Sequence, residues 1–207
     1  MLNIAMPKGR LGEKVYKVLE TIGCGCAEYT EDGRKLVFRD EKTGVTYFWV
    51  KPSDVAKYVE AGAADIGVVG KDILLEQKPD IYELADLNTG KCRVAVAAPN
   101  GFYEDTSRPL KVATKFVNIA KEHFSKLNRE TEIIELHGSI ELAPLIGMAD
   151  VILDIVETGT TLKENGMSVL YEVCPISARL IANKVSYKFN KERIDSIIDS
   201  LKEKAND

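Results

Sequence analysis

Val151-Ile152-Leu153-Asp154-Ile155-Val156-Glu157-Thr158-Gly159-Thr160-Thr161-Leu162 is the stretch on which the fold turns. It reads as an apolar strand carrying an acid, then a Thr/Gly turn, then a helical pattern from Leu162. Such a junction can cradle a phosphate. Backbone N–H groups of the turn and of the helix start converge on one point, and the hydroxyls of Thr158, Thr160 and Thr161 add donors. Gly159 lets the backbone approach an anion with no Cβ in the way. Asp154 and Glu157 would repel a bare phosphate. They fit a ligand that also donates hydroxyls or shares a divalent cation, and a sugar phosphate does both. An ordinary junction with a Thr cap has the same outline, so this stretch alone leaves both readings open. It is not the loop of nucleotide hydrolases, because no Lys follows the Gly at the required place.

Outward from this stretch, short apolar runs alternate with helical patterns. Strands are expected at 2–6, 35–39, 46–50, 66–69, 81–87, 92–98, 111–114, 132–136, 151–156 and 169–173. Helices are expected at 11–22, 53–61, 72–77, 118–127, 140–146 and 191–204, the last with Ile194, Ile197, Ile198 and Leu201 on one stripe. This alternation predicts an α/β fold with mixed, mostly parallel sheets. The polar loop 99–109 follows a strand and places one crossing between two lobes near residue 90. A second crossing follows the phosphate turn, because the terminal helix needs a surface to cover. The expected division is residues 1–90 plus 172–207 as one lobe and 91–171, with the phosphate turn, as the other. A ligand cleft is expected between them.

With 28 basic and 32 acidic residues the chain carries a formal charge of -4, which argues against a nucleic-acid partner. The start, Met1-Leu2-Asn3-Ile4-Ala5-Met6-Pro7-Lys8, has neither the apolar core nor the cleavage pattern of a signal peptide. No stretch is long and apolar enough for a membrane span, so a cytoplasmic location is expected. Cys24, Cys26, Cys92 and Cys174 are scattered. Cys24-Gly25-Cys26 has no second pair at metal-ligand spacing, and reduced structural thiols are expected. His123 and His137 stand alone and read as structural, and no nucleophile–base pair can be justified.

Three further segments place polar groups at strand ends. Lys8-Gly9-Arg10 follows the first strand and puts two cations where open α/β sheets bind ligands. A solvated basic turn is the plainer reading, although cations at a helix start oppose its dipole. Asp32-Gly33-Arg34-Lys35 sets adjacent cations at a strand entrance, and the planar fork of Arg34 suits a phosphate. Gly70-Lys71-Asp72 closes a buried strand and opens a helix, where Asp72 is either a cap or a ligand contact.

Together these segments resemble the ATP phosphoribosyltransferase family of histidine biosynthesis. Glu141 is followed by Gly147, Ala149, Ile152, Asp154, Ile155, Thr158, Gly159, Thr161 and Leu162, a spacing over twenty-two residues. Support comes from Pro7-Lys8-Gly9-Arg10-Leu11, the run from Tyr58 to Asp65, Gly70-Lys71-Asp72, Gly90-Lys91-Cys92-Arg93, Val112-Ala113-Thr114-Lys115 and Ser177-Ala178-Arg179-Leu180-Ile181. Lys51 departs from the family pattern, in which Arg is common.

The resemblance implies a two-lobed fold like the type II periplasmic binding proteins. It implies a reaction that joins N1 of ATP to the anomeric carbon of 5-phosphoribosyl 1-pyrophosphate (PRPP) and releases pyrophosphate. With no residues for a histidine-sensing domain after the terminal helix, the chain resembles the short form. That form is expected as a homodimer within a hetero-oligomer, with a regulatory subunit resembling a histidyl-tRNA synthetase core. Adenine N1 has a free lone pair, so the chemistry needs no strong base. Leaving-group stabilisation by cations and Mg²⁺ is the main task.

The implied PRPP site is Glu141, Asp154, Glu157, Thr158, Gly159, Thr160 and Thr161. Arg10 and Arg34 are expected to stabilise the departing pyrophosphate. Lys8, Gly9, Gly70, Lys71 and Asp72 are expected to bind ATP, and no metal ligand is assigned. A non-catalytic two-lobed module that binds one small ligand is the alternative.

Overall fold

Which face each strand residue buries decides the architecture. The computed structural model describes residues 1–29 and 35–205, and it divides into two units. The first comprises Met1–Leu74, Lys78–Gly90 and Ser177–Asp207; the second comprises Leu75–Gln77 and Lys91–Ile176.

In the first unit, β1 (Leu2–Pro7) is followed by α1 (Arg10–Leu19), β2 (Val37–Asp40), β3 (Val45–Val50), α2 (Val55–Glu60) and β4 (Ile66–Gly70). Next comes α3 (Lys71–Gln77), whose last three residues belong to the second unit, and then β5 (Tyr82–Asp86). The sheet order is β2-β3-β1-β4-β11-β5, where β11 is Ala178–Ala182. β1 pairs in parallel with β3 and β4, and the remaining pairs are antiparallel.

Leu2, Ile4 and Met6 of β1, with Ile66 and Val68 of β4, pack into one core with Val15 and Leu19 of α1. That core also takes Ile194, Ile197, Ile198 and Leu201 of the terminal helix α8 (Lys191–Ala205). Ala5 and Val69 turn to the opposite face and meet Val55, Ala56 and Val59 of α2. Helices on both faces are why these strands read as nearly continuous apolar runs.

The second unit holds β6 (Cys92–Pro99), β7 (Leu110–Thr114), α4 (Val117–Lys126), β8 (Thr131–Glu135), α5 (Leu142–Leu145), β9 (Val151–Val156), α6 (Thr160–Glu164) and β10 (Met167–Ile176). Its sheet order is β10-β6-β9-β7-β8, with β9 at the centre. Val151 and Leu153 of β9 pack with Val94, Val96, Phe116 and Phe124. Ile152 and Val156 point the other way, onto Ile140, Ala143 and Leu162.

Several sequence expectations need adjustment. The sheets are mixed, but among the described residues four pairings are parallel and five antiparallel, a smaller parallel share than the mostly parallel one expected. β11 was not foreseen, because Arg179 interrupts its apolar run and leaves only Leu180-Ile181-Ala182. A short helix α7, Lys184–Phe189, was also missed. Residues 172–176, assigned above to the first lobe, are the end of β10 and pair with β6 in the second unit.

Candidate functional site

The centre of the site is Asp154. Residues two apart on a strand share a face, so Asp154 points the way Ile152 and Val156 do, toward the layer built from α5 and α6. Its side chain is 19% exposed. The N–H of Ile155 donates to its Oδ1 at 2.8 Å, and Lys115 Nζ stands 3.6 Å from the same oxygen. Burial pushes this carboxyl above the usual carboxylate range, the Lys115 cation pulls it back, and the charge of Glu141 pushes it up again.

Lys115 reaches Asp154 because β7 runs parallel to β9, Val112 opposite Val151 and Ala113 opposite Ile152. Thr114 ties the end of β7 to the middle of β9. Its fully buried hydroxyl donates to the Leu153 carbonyl at 2.6 Å and accepts from the Phe116 N–H at 2.8 Å.

Gly159 takes the left-handed conformation, φ 79° and ψ 5°, and turns the chain out of β9 into α6. The first intrahelical bond runs from Lys163 N–H to the Gly159 carbonyl at 3.1 Å. The N–H groups of Thr161 and Leu162 therefore have no helical acceptor behind them. Thr158 and Thr160 meet through their hydroxyls at 3.0 Å. The expected helix is only five residues long, so its macrodipole is small and the donors belong chiefly to the turn itself.

Glu141 comes to the same place as the N-cap of α5. Together Glu141, Asp154, Glu157, Thr158, Gly159, Thr160 and Thr161 line one cavity of about 270 Å³, floored by Ile152, Ile155, Val156 and Leu162. Glu157 is exposed at its edge, and its carbonyl accepts from Arg93 Nη1 at 3.4 Å. All seven expected sugar-phosphate residues thus lie in the second unit and share one cavity.

Six of the seven other expected residues lie in the first unit, in two separate turns. Lys8, Gly9 and Arg10 are exposed between β1 and α1. The Lys8 N–H donates to Val50 O at 2.8 Å, and Arg10 opens the helix. Gly12 holds this turn in place, and the sequence reading missed it. A Cβ there would lie 1.9 Å from Pro7 O and 2.8 Å from Trp49 Cζ3, so α1 sits against the end of β1 only because residue 12 has no side chain. The available signal was a lone glycine inside a helical pattern.

Gly70, Lys71 and Asp72 join β4 to α3. The Lys71 N–H donates to Ser177 O at 3.0 Å, and its ammonium pairs with Glu83 Oε2 at 2.5 Å. Arg179 pairs with Glu83 at 3.5 Å and with Asp86 at 2.8 Å, and the Ser177 hydroxyl also reaches Asp86. Lys71 therefore belongs to an ion-pair network that also joins β11 to β5. Arg34 lies outside the described residues. Cys24 and Cys26 are buried in the first unit's core, where Tyr47 donates to the Cys24 carbonyl and Tyr16 to that of Cys26.

Known proteins give the geometry its context. The family model HisG, ATP phosphoribosyltransferase, matches residues 51–203. A Brachyspira hyodysenteriae protein named ATP phosphoribosyltransferase is 58% identical over 204 residues, covering 98% of this chain and 99% of its own. One of the same name from Lachnospira eligens is 50% identical over 205 residues, covering 97% and 95%. Among solved structures, an ATP phosphoribosyl transferase (HisG:HisZ) complex from Thermotoga maritima superposes with a TM-score of 0.85 at 35% identity, covering 100% of this chain and 99% of that one. The periplasmic aliphatic sulphonate binding protein SsuA from Escherichia coli superposes with a TM-score of 0.64 at 14% identity over 99% of this chain and 72% of its own. That likeness is one of fold, and the fold is of the two-lobed type II binding-protein kind.

Proposed function

The chain belongs to the ATP phosphoribosyltransferase family, and on that footing we propose how its residues divide the work. The enzyme transfers the phosphoribosyl group of PRPP to N1 of ATP and releases pyrophosphate, the first step of histidine biosynthesis. One observation carries the assignment of residues. Six polar positions from two separate segments converge on a single cavity around the left-handed Gly159.

The Thr158–Thr161 turn holds the 5′-phosphate of PRPP. Its N–H groups and hydroxyls supply charge-assisted hydrogen bonds worth about 1.5–3 kcal/mol each. Asp154 and Glu141 accept from the ribose hydroxyls, which fixes the sugar so that its anomeric carbon faces the incoming nitrogen. The carboxylates also favour the positive charge that grows on the ribose as pyrophosphate leaves. Lys8 and Gly9, with Gly70, Lys71 and Asp72, serve ATP, and Arg10 and Arg34 stabilise the leaving group. For Lys71 this role requires exchanging Glu83 for a phosphate, since the two are paired at 2.5 Å.

Mg²⁺ would arrive on the phosphates of the substrates. Among the described residues no three His, Cys, Asp or Glu side chains gather into a metal cluster, so the residues do not make a protein cage for it. Mg²⁺ commonly rests on one or two carboxylates, substrate phosphates and water. The residue roles above do not depend on it.

We further propose a cytoplasmic location and assembly as a homodimer within a hetero-oligomer, with a regulatory subunit resembling a histidyl-tRNA synthetase core. The HisG:HisZ complex from Thermotoga maritima supports such a partner. Among the described residues no helix is long and apolar enough to cross a membrane.

Product formation from ATP, PRPP and Mg²⁺, followed by ultraviolet absorbance, tests the whole reading. Turnover is expected to require both substrates. If the purified chain neither turns over nor binds PRPP, with or without the regulatory subunit, the assignment of the cavity is wrong.

A further inference from the structure

The geometry points to Lys115 as a positioning residue of the PRPP site, acting through Asp154: it holds the buried carboxylate ionised and aimed so that the carboxylate can receive the ribose. This rests on the assignment of the cavity to PRPP and deepens it. Lys115 is not among the residues lining the cavity, and its ammonium stands 3.6 Å from Asp154 Oδ1. It is held there from two sides. The Thr114 hydroxyl locks the end of β7 to Leu153, the residue before Asp154. The ammonium also lies 4.8 Å from the centre of the Phe116 ring, itself 2% exposed, a cation–π contact that limits the freedom of the lysine chain.

Asp154 needs such support. A carboxylate removed from water must be compensated, or it protonates and becomes a donor instead of an acceptor. The groups facing it are few. From its own strand comes the Ile155 N–H at 2.8 Å. From the start of α5 comes Glu141, of like charge, and Glu157 lines the same cavity. On the β6 side, Arg93 is engaged with Glu172 at 2.7 Å and with the Glu157 carbonyl. Lys115 is thus the cation paired with Asp154 among the described residues, set against a neighbouring acid that works the other way.

The consequence is an acceptor at Asp154 that stays ionised to lower pH while the lysine is in place. Without it, only the Ile155 N–H opposes burial and Glu141, and Asp154 is protonated at higher pH than before. An arginine at 115 keeps the charge and the stacking on Phe116, so it preserves the function.

PRPP binding to the intact protein, with Mg²⁺ present, is measured by calorimetry from about pH 5 to about pH 8 for the wild type, Lys115→Met and Lys115→Arg, spanning the range in which a raised carboxyl titrates. Lys115→Met is expected to weaken PRPP about tenfold near neutrality, the loss of one charge-assisted hydrogen bond. The acid limb of its binding profile is expected to move to higher pH, and Lys115→Arg to return both toward the wild type. A Lys115→Met profile that is uniformly weaker with an unmoved acid limb would overturn the proposal, since the lysine would then touch the ligand directly or serve folding alone. Unchanged affinity would overturn it too, as would a Lys115→Arg protein as weak as Lys115→Met. The underlying assignment fails separately, if Gly159→Val binds PRPP as tightly as the wild type.

Discussion

Gly159 and Gly166 form a matched pair, and substituting both separates a functional glycine from a merely conformational one. Each has a left-handed backbone, φ 79° and φ 66°, and they flank the same short helix α6. A Cβ at Gly166 meets nothing within 4 Å, and a Cβ at Gly159 meets only Val156 Cγ1 at 3.8 Å, an ordinary contact. Neither alanine clashes with the protein. Both incur the left-handed cost of about 1–2 kcal/mol, or a fall in Tm of roughly 2–8 °C for a chain of this size.

Only Gly159 lines the cavity. Its Cβ would stand where an anion must approach the turn, so Gly159→Ala loses at least one hydrogen bond to the phosphate in addition. At about 1.5–3 kcal/mol per bond, PRPP affinity should fall by roughly tenfold to a hundredfold. Gly166→Ala should bind PRPP as the wild type does. The assay is calorimetric titration with PRPP beside a thermal melt of each variant. Equal losses of affinity would mean that Gly159 serves only the backbone. Unchanged affinity in both would remove the turn from the PRPP site.

Asp154→Asn should raise Tm at neutral pH while weakening PRPP binding. A carboxyl raised by burial stabilises the fold below its unfolded pKa and loses that contribution as pH rises through the folded one, so the gain from Asn should vanish in acid; an unchanged melt at neutral pH would contradict the burial argument. Gly12→Ala should destabilise the first unit by about 1–3 kcal/mol or more, because its Cβ would lie 1.9 Å from a backbone carbonyl, and urea unfolding with an unshifted midpoint would show that α1 can lift away freely. Arg34→Ala should lower the rate of the chemical step more than PRPP affinity, since leaving-group charge is greatest in the transition state; an unchanged single-turnover rate removes that role.

The parts of this protein that were legible in the sequence are those whose chemistry is contiguous. Glu141 to Leu162 carries an acid, a strand, a turn and a helix start within one segment, and each has a local signature that burial and hydrogen bonding then reproduce. The alternation of buried faces in β1 and β4 was legible for the same reason. β11 was not, because a strand with Arg179 in its midst offers three apolar residues in a row and no period. Its place between β4 and β5 is set by partners distant in the chain, and its arginine is explained by Glu83 and Asp86 on the neighbouring strand.

Gly12 and Lys115 illustrate the same division at the level of single residues. In sequence, Gly12 is a weak spot in a helix, and Lys115 is a cation beside a phenylalanine. What each does is fixed by a residue that folding brings near: Trp49 for the first, Asp154 for the second. The acid itself was visible, but its need for a counter-charge was not, since that need arises from burial on the face shared with Ile152 and Val156. On the proposed assignment a motif names the groups that meet the ligand, while the register between strands sets the charges placed around them. Here that register is β7 against β9, held by the Thr114 hydroxyl on Leu153. Removing that hydroxyl would free the end of β7, and Lys115 with it, without changing any residue that lines the cavity.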